Sequence, residues 1–296
     1  MSNTKTLLKR MRNAAVATLA SVGILSAAPV AAKESKGTVH LALVEWSSTV
    51  ATTNVVRVAL EKAGYDVKLS SLSGGAMWQA VASGDADALL EGWLPTTHED
   101  YFEQLGDQVE DLGVNLDGTK LGLVVPAYTE IDSIEELNDH ARDLNREIIG
   151  IDPGAGLQRL TQEVIDEYGL KLRLRDGTDA TMTAALGNAI ANNEDIVVAG
   201  WTPHWKFARW DLKYLDDPKG IYGGAEQIHT IVRKGLKEDM PDAYTVLKNF
   251  HWTPEDMGEV QLMNEVPDTD PYENAQKWLA EHSDLLDEWL EGVEIN

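Results

Sequence analysis

Apolar and polar positions along this chain switch between a period near two and a period near 3.6, and the switches predict its elements. Residues 38–44 form a short apolar run of strand type. From residue 50 to 63 the spacing becomes helical through Val55, Val56, Val58, Ala59 and Leu60, and it stops near Gly64. Residues 67–72 alternate as a strand, 76–82 read as a helix and 86–90 as another strand. Strand, helix, strand, helix, strand in this rhythm predicts a parallel sheet covered by helices on both faces. The rhythm then recurs, with strands at 147–151, 170–174 and 195–199 and helices at 157–168 and 180–191.

Both passes end alike. Gly92-Trp93-Leu94-Pro95 closes the first and Gly200-Trp201-Thr202-Pro203 the second, each after an apolar run opened by an aspartate, Asp87 or Asp195. A four-residue pattern containing Trp, repeated in the same context, predicts two α/β lobes of related construction. Residues 120–128 are a smooth apolar run suited to a strand crossing between lobes, and 227–233 would return the chain. Residues 242–290 read as mostly helical, with Pro241 placed to open a helix. The expected division is therefore 38–125 with 229–296 as lobe 1, and 126–228 as lobe 2, joined by a two-strand hinge. Two hinged lobes enclose a cleft, and ligands of open α/β sheets sit beyond the carboxyl ends of the strands. The Trp46, Trp93 and Trp201 side chains are all expected on loops at such strand exits.

Composition narrows the function. Lys5, Lys9, Arg10 and Arg12 precede an apolar stretch from Ala14 to about Ala28, and Val30-Ala31-Ala32 supplies small residues for cleavage. Residues 1–32 are thus expected to be a signal peptide, with an uncleaved anchor as the alternative. The chain has no cysteine, which removes disulfides, thiol chemistry and a lipid-attachment cysteine together. An exported, untethered protein fits a periplasm. Loss of residues 1–32 would move the formal charge from -24 to -28, because four basic and no acidic residues lie there. So acidic a surface excludes nucleic acid and anionic membranes as partners and fits a salty medium.

The candidate chemistry lies at the strand exits. Indole faces attract a cation without offering hydrogen bonds, which suits a trimethylammonium group that has charge but no N–H. Any one of Trp46, Trp93 or Trp201 alone reads equally as a core tryptophan; three facing one cleft form a cage. The run Gly150-Ile151-Asp152-Pro153-Gly154-Ala155-Gly156 joins a strand to a helix, where backbone N–H groups can cradle an anion. Such a turn also needs glycine for its geometry alone. It is neither a dinucleotide fingerprint nor a Walker loop. His98, five residues after Trp93, can donate one N–H to a carboxylate, or can simply start a helix. Zinc-protease and nucleophile-elbow motifs are missing, so a hydrolytic enzyme is the weaker alternative, and no cofactor or metal is expected.

In order along the chain, Val44-Glu45-Trp46, Gly92-Trp93-Leu94-Pro95-Thr96-Thr97-His98, the Gly150–Gly156 run and Gly200-Trp201-Thr202-Pro203-His204-Trp205 resemble the glycine betaine-binding proteins of ABC transporters. The resemblance covers nearly all of the chain after residue 32. It implies a two-lobed periplasmic-binding-protein fold. By it, Trp46, Trp93 and Trp201 match the aromatic prism around the trimethylammonium group. The Gly150 and Ile151 backbone, with the His98 side chain, matches the carboxylate-binding site. Some relatives carry a further tryptophan in the Gly-rich turn; here Gly154-Ala155-Gly156 stands there and Trp46 completes the cage. The implied function is capture of glycine betaine by a monomer that delivers it to the membrane permease subunits of an importer. Choline, carnitine, proline betaine, ectoine and a sulfonium analogue are the alternative ligands. Trp78 is expected in the core, Trp205 near the cleft rim, and Trp252, Trp278 and Trp289 in the packing of the helical tail.

Overall fold

The computed structural model describes residues 35–295; the expected signal peptide lies outside them. The first pass of the rhythm forms β1 (Thr38–Leu43), α1 (Ser47–Lys62), β2 (Asp66–Ser71), α2 (Gly74–Ser83), β3 (Ala88–Leu94) and α3 (Glu99–Leu105). An 18-residue strand, β4 (Val109–Pro126), carries the chain onward. The second pass forms β5 (Glu147–Ile149), α4 (Gly156–Glu167), β6 (Arg173–Arg175), α5 (Asp179–Asn192) and β7 (Val198–Thr202). After α6 (Lys206–Arg209) and β8 (Leu212–Tyr214), β9 (Glu226–Arg233) leads into α7 (Leu236–Asp239), α8 (Pro241–Asn249), α9 (Pro254–Asn264), α10 (Pro271–Glu281) and α11 (Ser283–Trp289).

Strand order shows why the sequence repeats itself. The order runs β2-β1-β3-β9-β4-β7-β5-β6, so each pass contributes a parallel triplet of order second, first, third. The antiparallel pair β9 and β4 lies between the triplets. Along β4 the partner changes: Val109 to Thr119 pair with β9, and Lys120 to Val124 pair with β7. The predicted crossing strand is therefore the second half of a longer one. A strand buried on both faces reads as a continuous apolar run, and Ala88–Leu94 is buried throughout.

Helix starts use the devices their sequences offer. Thr178 and Thr181 form a capping box at α5, and Pro241, Pro254 and Pro271 open three helices of the tail. At α1 the N-cap Trp46 makes no side-chain cap bond, and Asp179 Oδ2 instead accepts the Ser47 N–H at 2.9 Å. A carboxylate from the second pass thus sits at the positive end of a helix from the first. Trp78, Trp252, Trp278 and Trp289 are all buried in the packed core. No helix among the described residues is long and apolar enough to cross a membrane.

Candidate functional site

The first and third strands of each triplet end at one place. There, a cavity is lined by Trp46, Ser48, Trp93, Thr97 and His98 from the first pass, Leu121 of β4, and Ile151, Ala155, Gly156, Leu157 and Trp201 from the second. Trp93 and Trp201 lie within β3 and β7, one residue before each strand ends, and not on loops as expected. Placement in a strand fixes their rings more firmly than a loop would. Each motif then turns at a cis peptide, Leu94–Pro95 and Thr202–Pro203. The motif glycines are there for contact: a Cβ on Gly92 would meet Ile231 Cγ1 at 2.9 Å, and one on Gly200 would meet Val124 Cγ2 at 2.4 Å.

Two of the indoles have their N–H edges pinned by carboxylates. Trp46 Nε1 donates to Asp152 Oδ2 at 2.9 Å, and Trp93 Nε1 donates to Glu91 Oε2 at 2.8 Å. An indole held by its N–H has its faces left for other contacts. Glu91 is fully buried and also accepts a hydrogen bond from Thr52 Oγ1 at 2.8 Å. Burial raises its pKa to about 7, against the pull of the Trp93 and Thr52 donors. Trp201 is fixed differently, by an edge-to-face contact with the His204 ring at 4.6 Å.

His98 has a determined tautomer. Its Nδ1 accepts from the Trp93 amide at 3.1 Å and from Trp78 Nε1 at 3.3 Å. A nitrogen that accepts carries no proton, so the proton is on Nε2, which has no protein partner among the described residues. Burial first, and then the positive Arg159, hold the ring's pKa down to about 3. His98 is thus a neutral N–H donor. Trp78, fully buried behind it, is part of what orients it.

The Gly-rich turn offers amides of two kinds. The Gly150 N–H goes to the Arg175 carbonyl, and the Ile151 N–H goes to Gln158 Oε1, each at 2.9 Å. Ile151 lines the cavity, whereas Gly150 does not; a Cβ there would overlap the Gln158 carboxamide. Six residues on, Gly156 and Leu157 open α4 and both line the cavity. Their N–H groups have no partner among the described residues, as the first amides of a helix must lack intrahelical ones. At Gly156 the two passes touch closely, since a Cβ there would lie 1.9 Å from the Thr97 carbonyl oxygen.

Other contacts join the same two sides. Arg159 reaches Asp100 at 2.8 Å, and the Tyr101 hydroxyl donates to the Gly154 carbonyl. Trp205 does not line the cavity; its amide bonds Gln261 Oε1 at 2.8 Å and its ring tilts against Trp210. Glu91 and Leu157 were not singled out from the sequence as parts of this site, and Gly156 entered only as the last residue of the Gly-rich run.

A family profile described as the substrate-binding domain of ABC-type glycine betaine transport systems matches residues 37–281. A glycine betaine/carnitine transport binding protein of Listeria monocytogenes is 49% identical over 170 residues, which is 56% of this chain and 56% of that protein. The chain thus matches a little over half the length of that curated relative. Among solved structures, the closed, liganded form of a lactococcal protein complexed with glycine betaine is 42% identical, with a TM-score of 0.82 over 86% of this chain and 99% of that one. An ABC-transporter choline-binding protein in complex with choline is 27% identical, with a TM-score of 0.81 over 88% and 93% of the two chains.

Proposed function

The chain belongs to the family of substrate-binding domains of ABC-type glycine betaine transport systems, and from that premise we propose that it captures glycine betaine outside the cytoplasm and hands it to an importer. The observation that carries this reading is the one cavity lined by three tryptophans, a neutral histidine donor and the start of a helix. The trimethylammonium group lies against Trp46, Trp93 and Trp201. Each indole face contributes roughly 1–2 kcal/mol once water is excluded. The carboxylate takes the His98 Nε2–H and the Gly156 and Leu157 amides, with the α4 dipole behind them. The Gly-rich turn remains the carboxylate site expected from the sequence, but its free amides lie at its helical end. Three such faces and these donors are enough for micromolar affinity, about 8 kcal/mol, after association costs.

Choline has no carboxylate and would leave those donors unpaired, so the donor set favours a zwitterion. Carnitine, which the name of the Listeria relative includes, proline betaine, ectoine and a sulfonium analogue remain alternative ligands. We place the hinge where β4 leaves β9 for β7, and the contacts of Trp46 with Asp152 and Arg159 with Asp100 then mark a closed cleft. A ligand that touches both sides favours that closed form, because only there are all its contacts made. The permease subunits would recognise the closed shape of a periplasmic monomer. The chemistry is binding, without catalysis.

Titration of the purified protein followed by tryptophan fluorescence tests this. Saturable binding of betaine, tighter than choline, is expected. Trp93→Ala and Trp201→Ala should each weaken it at least about tenfold, the loss of one cation–π face, with circular dichroism unchanged. Wild-type affinity in both variants would refute the cage.

A further inference from the structure

Behind Trp201 stands a cation that the binding reading does not use. Lys206 opens α6, four residues past the end of β7, and its side chain is fully buried. Its ammonium makes no hydrogen bond among the described residues, yet lies 4.3 Å from the Trp201 ring centroid and 5.3 Å from that of Phe207. Lys206 does not line the cavity, whereas Trp201 does. The other charged and titratable groups nearby are few. Asp179 of α5 acts on the ammonium as its counter-charge, but its two oxygens are engaged by His204 Nε2 and the Ser47 amide, each at 2.9 Å. Arg209, on the same short helix, lies over Trp205 and Trp210 instead.

We infer that Lys206 sets the strength with which Trp201 receives a cationic ligand: its charge competes with the ligand for one indole π-system, and losing that charge tightens binding. This rests on the cavity being a quaternary-ammonium site, as proposed above. The physical basis is repulsion between like charges on opposite sides of one ring. At a separation of roughly 8 Å and an effective dielectric near 20, that repulsion is enough to change an equilibrium about thirtyfold between the fully charged and uncharged lysine. A buried ammonium lacking a direct hydrogen-bond partner is also the kind that gives up its proton readily. Burial lowers its pKa to about 7, with Asp179 opposing. A bound cation disfavours the protonated form further, so binding expels a proton and affinity rises as pH rises through 7.

His204, two residues before Lys206, and His98 in the cavity wall both stay out of that window, because burial holds them at about 4 and about 3. Removing Lys206 lifts one of the influences that lower His204, but burial is the larger one. Glu91, at about 7 and bonded to the Trp93 indole, does titrate there and needs its own control.

Calorimetric titration with betaine from pH 6 to 9 tests the inference on the wild type, Lys206→Met and Glu91→Gln. The wild type should bind about tenfold more weakly at pH 6 than at pH 9. Lys206→Met should bind at pH 6 about as tightly as the wild type does at pH 9, with a flat profile, and Glu91→Gln should keep the slope. A Lys206→Met variant that keeps the wild-type slope, or binds more weakly at pH 6, overturns the inference. So does a flat wild-type profile, or a slope that vanishes in Glu91→Gln, and these two hold even if Lys206→Met fails to fold. Absence of binding to betaine, choline and carnitine at every pH would instead remove the cation site itself, and this inference with it.

Discussion

His98 and His204 are buried and neutral, and their environments give them opposite uses for the same condition. His98 keeps a free Nε2–H beside the cavity; His204 spends its Nε2 on Asp179. Both values lie below the ordinary 6.5, at about 3 and about 4, with burial the main cause. In the unfolded chain these rings take up protons as pH falls below about 6.5, while the folded protein refuses them until about 4 or lower. Their contribution to stability is therefore complete above pH 6.5 and is lost as pH falls from there toward 4. Glu91 works the other way between about 7 and 4.5, since the folded protein takes its proton first and so gains as pH falls. The two histidines outweigh Glu91 and Glu265, whose pKa burial also raises, so the melting temperature should drop between pH 6.5 and 4. His204→Gln should make that drop shallower, and an unchanged slope would argue against a buried neutral ring. Trp93, Trp201 and His98 of the cavity wall were legible because a repeated Gly-Trp-x-Pro and a following histidine stand out as letters, and Trp46 because it follows the first strand. Glu91 and Lys206 were not, because a lone charge in sequence carries no mark of burial.

At the scale of elements, the turn between β5 and α4 shows where sequence reasoning stops. The Gly-rich run announced a strand-to-helix corner able to hold an anion. Which of its amides stay free depends on Gln158 folding back onto Ile151 and on β6 lying beside β5, and neither is visible from spacing. The same holds for the tryptophans expected on loops: β3 and β7 run on to one residue past them because β9 and β4 pair with them to the end. The element rhythm itself was plain in the apolar periods, down to Pro241 at the start of a tail helix. Gly156 gives the sharpest test at this scale. An added methyl cannot fit 1.9 Å from the Thr97 carbonyl, so Gly156→Ala should hold the two sides apart. Betaine affinity should fall by a hundredfold or more, on the order of 3 kcal/mol of lost contacts, while far-ultraviolet circular dichroism stays the same. Affinity within about threefold of wild type would show that the two sides need not meet there.

Across the whole molecule, 49 acidic residues stand against 25 basic ones. Mutual repulsion of this surface opposes compactness at low ionic strength, and at 1 M salt the Debye length shrinks to about 3 Å. Raising sodium chloride from about 0.01 M to 1 M should raise the melting temperature by a few degrees; a decrease would mean that ion pairs, not repulsion, dominate the surface. The strand shared by both triplets has a different kind of consequence. Because β9 holds β4 up to Thr119 and β7 holds it from Lys120, a cut between those two residues would leave each part its own stretch of β4, with those edge groups still paired. Anyone hoping to build hybrids from two relatives finds a seam there, matched by a second between β8 and β9.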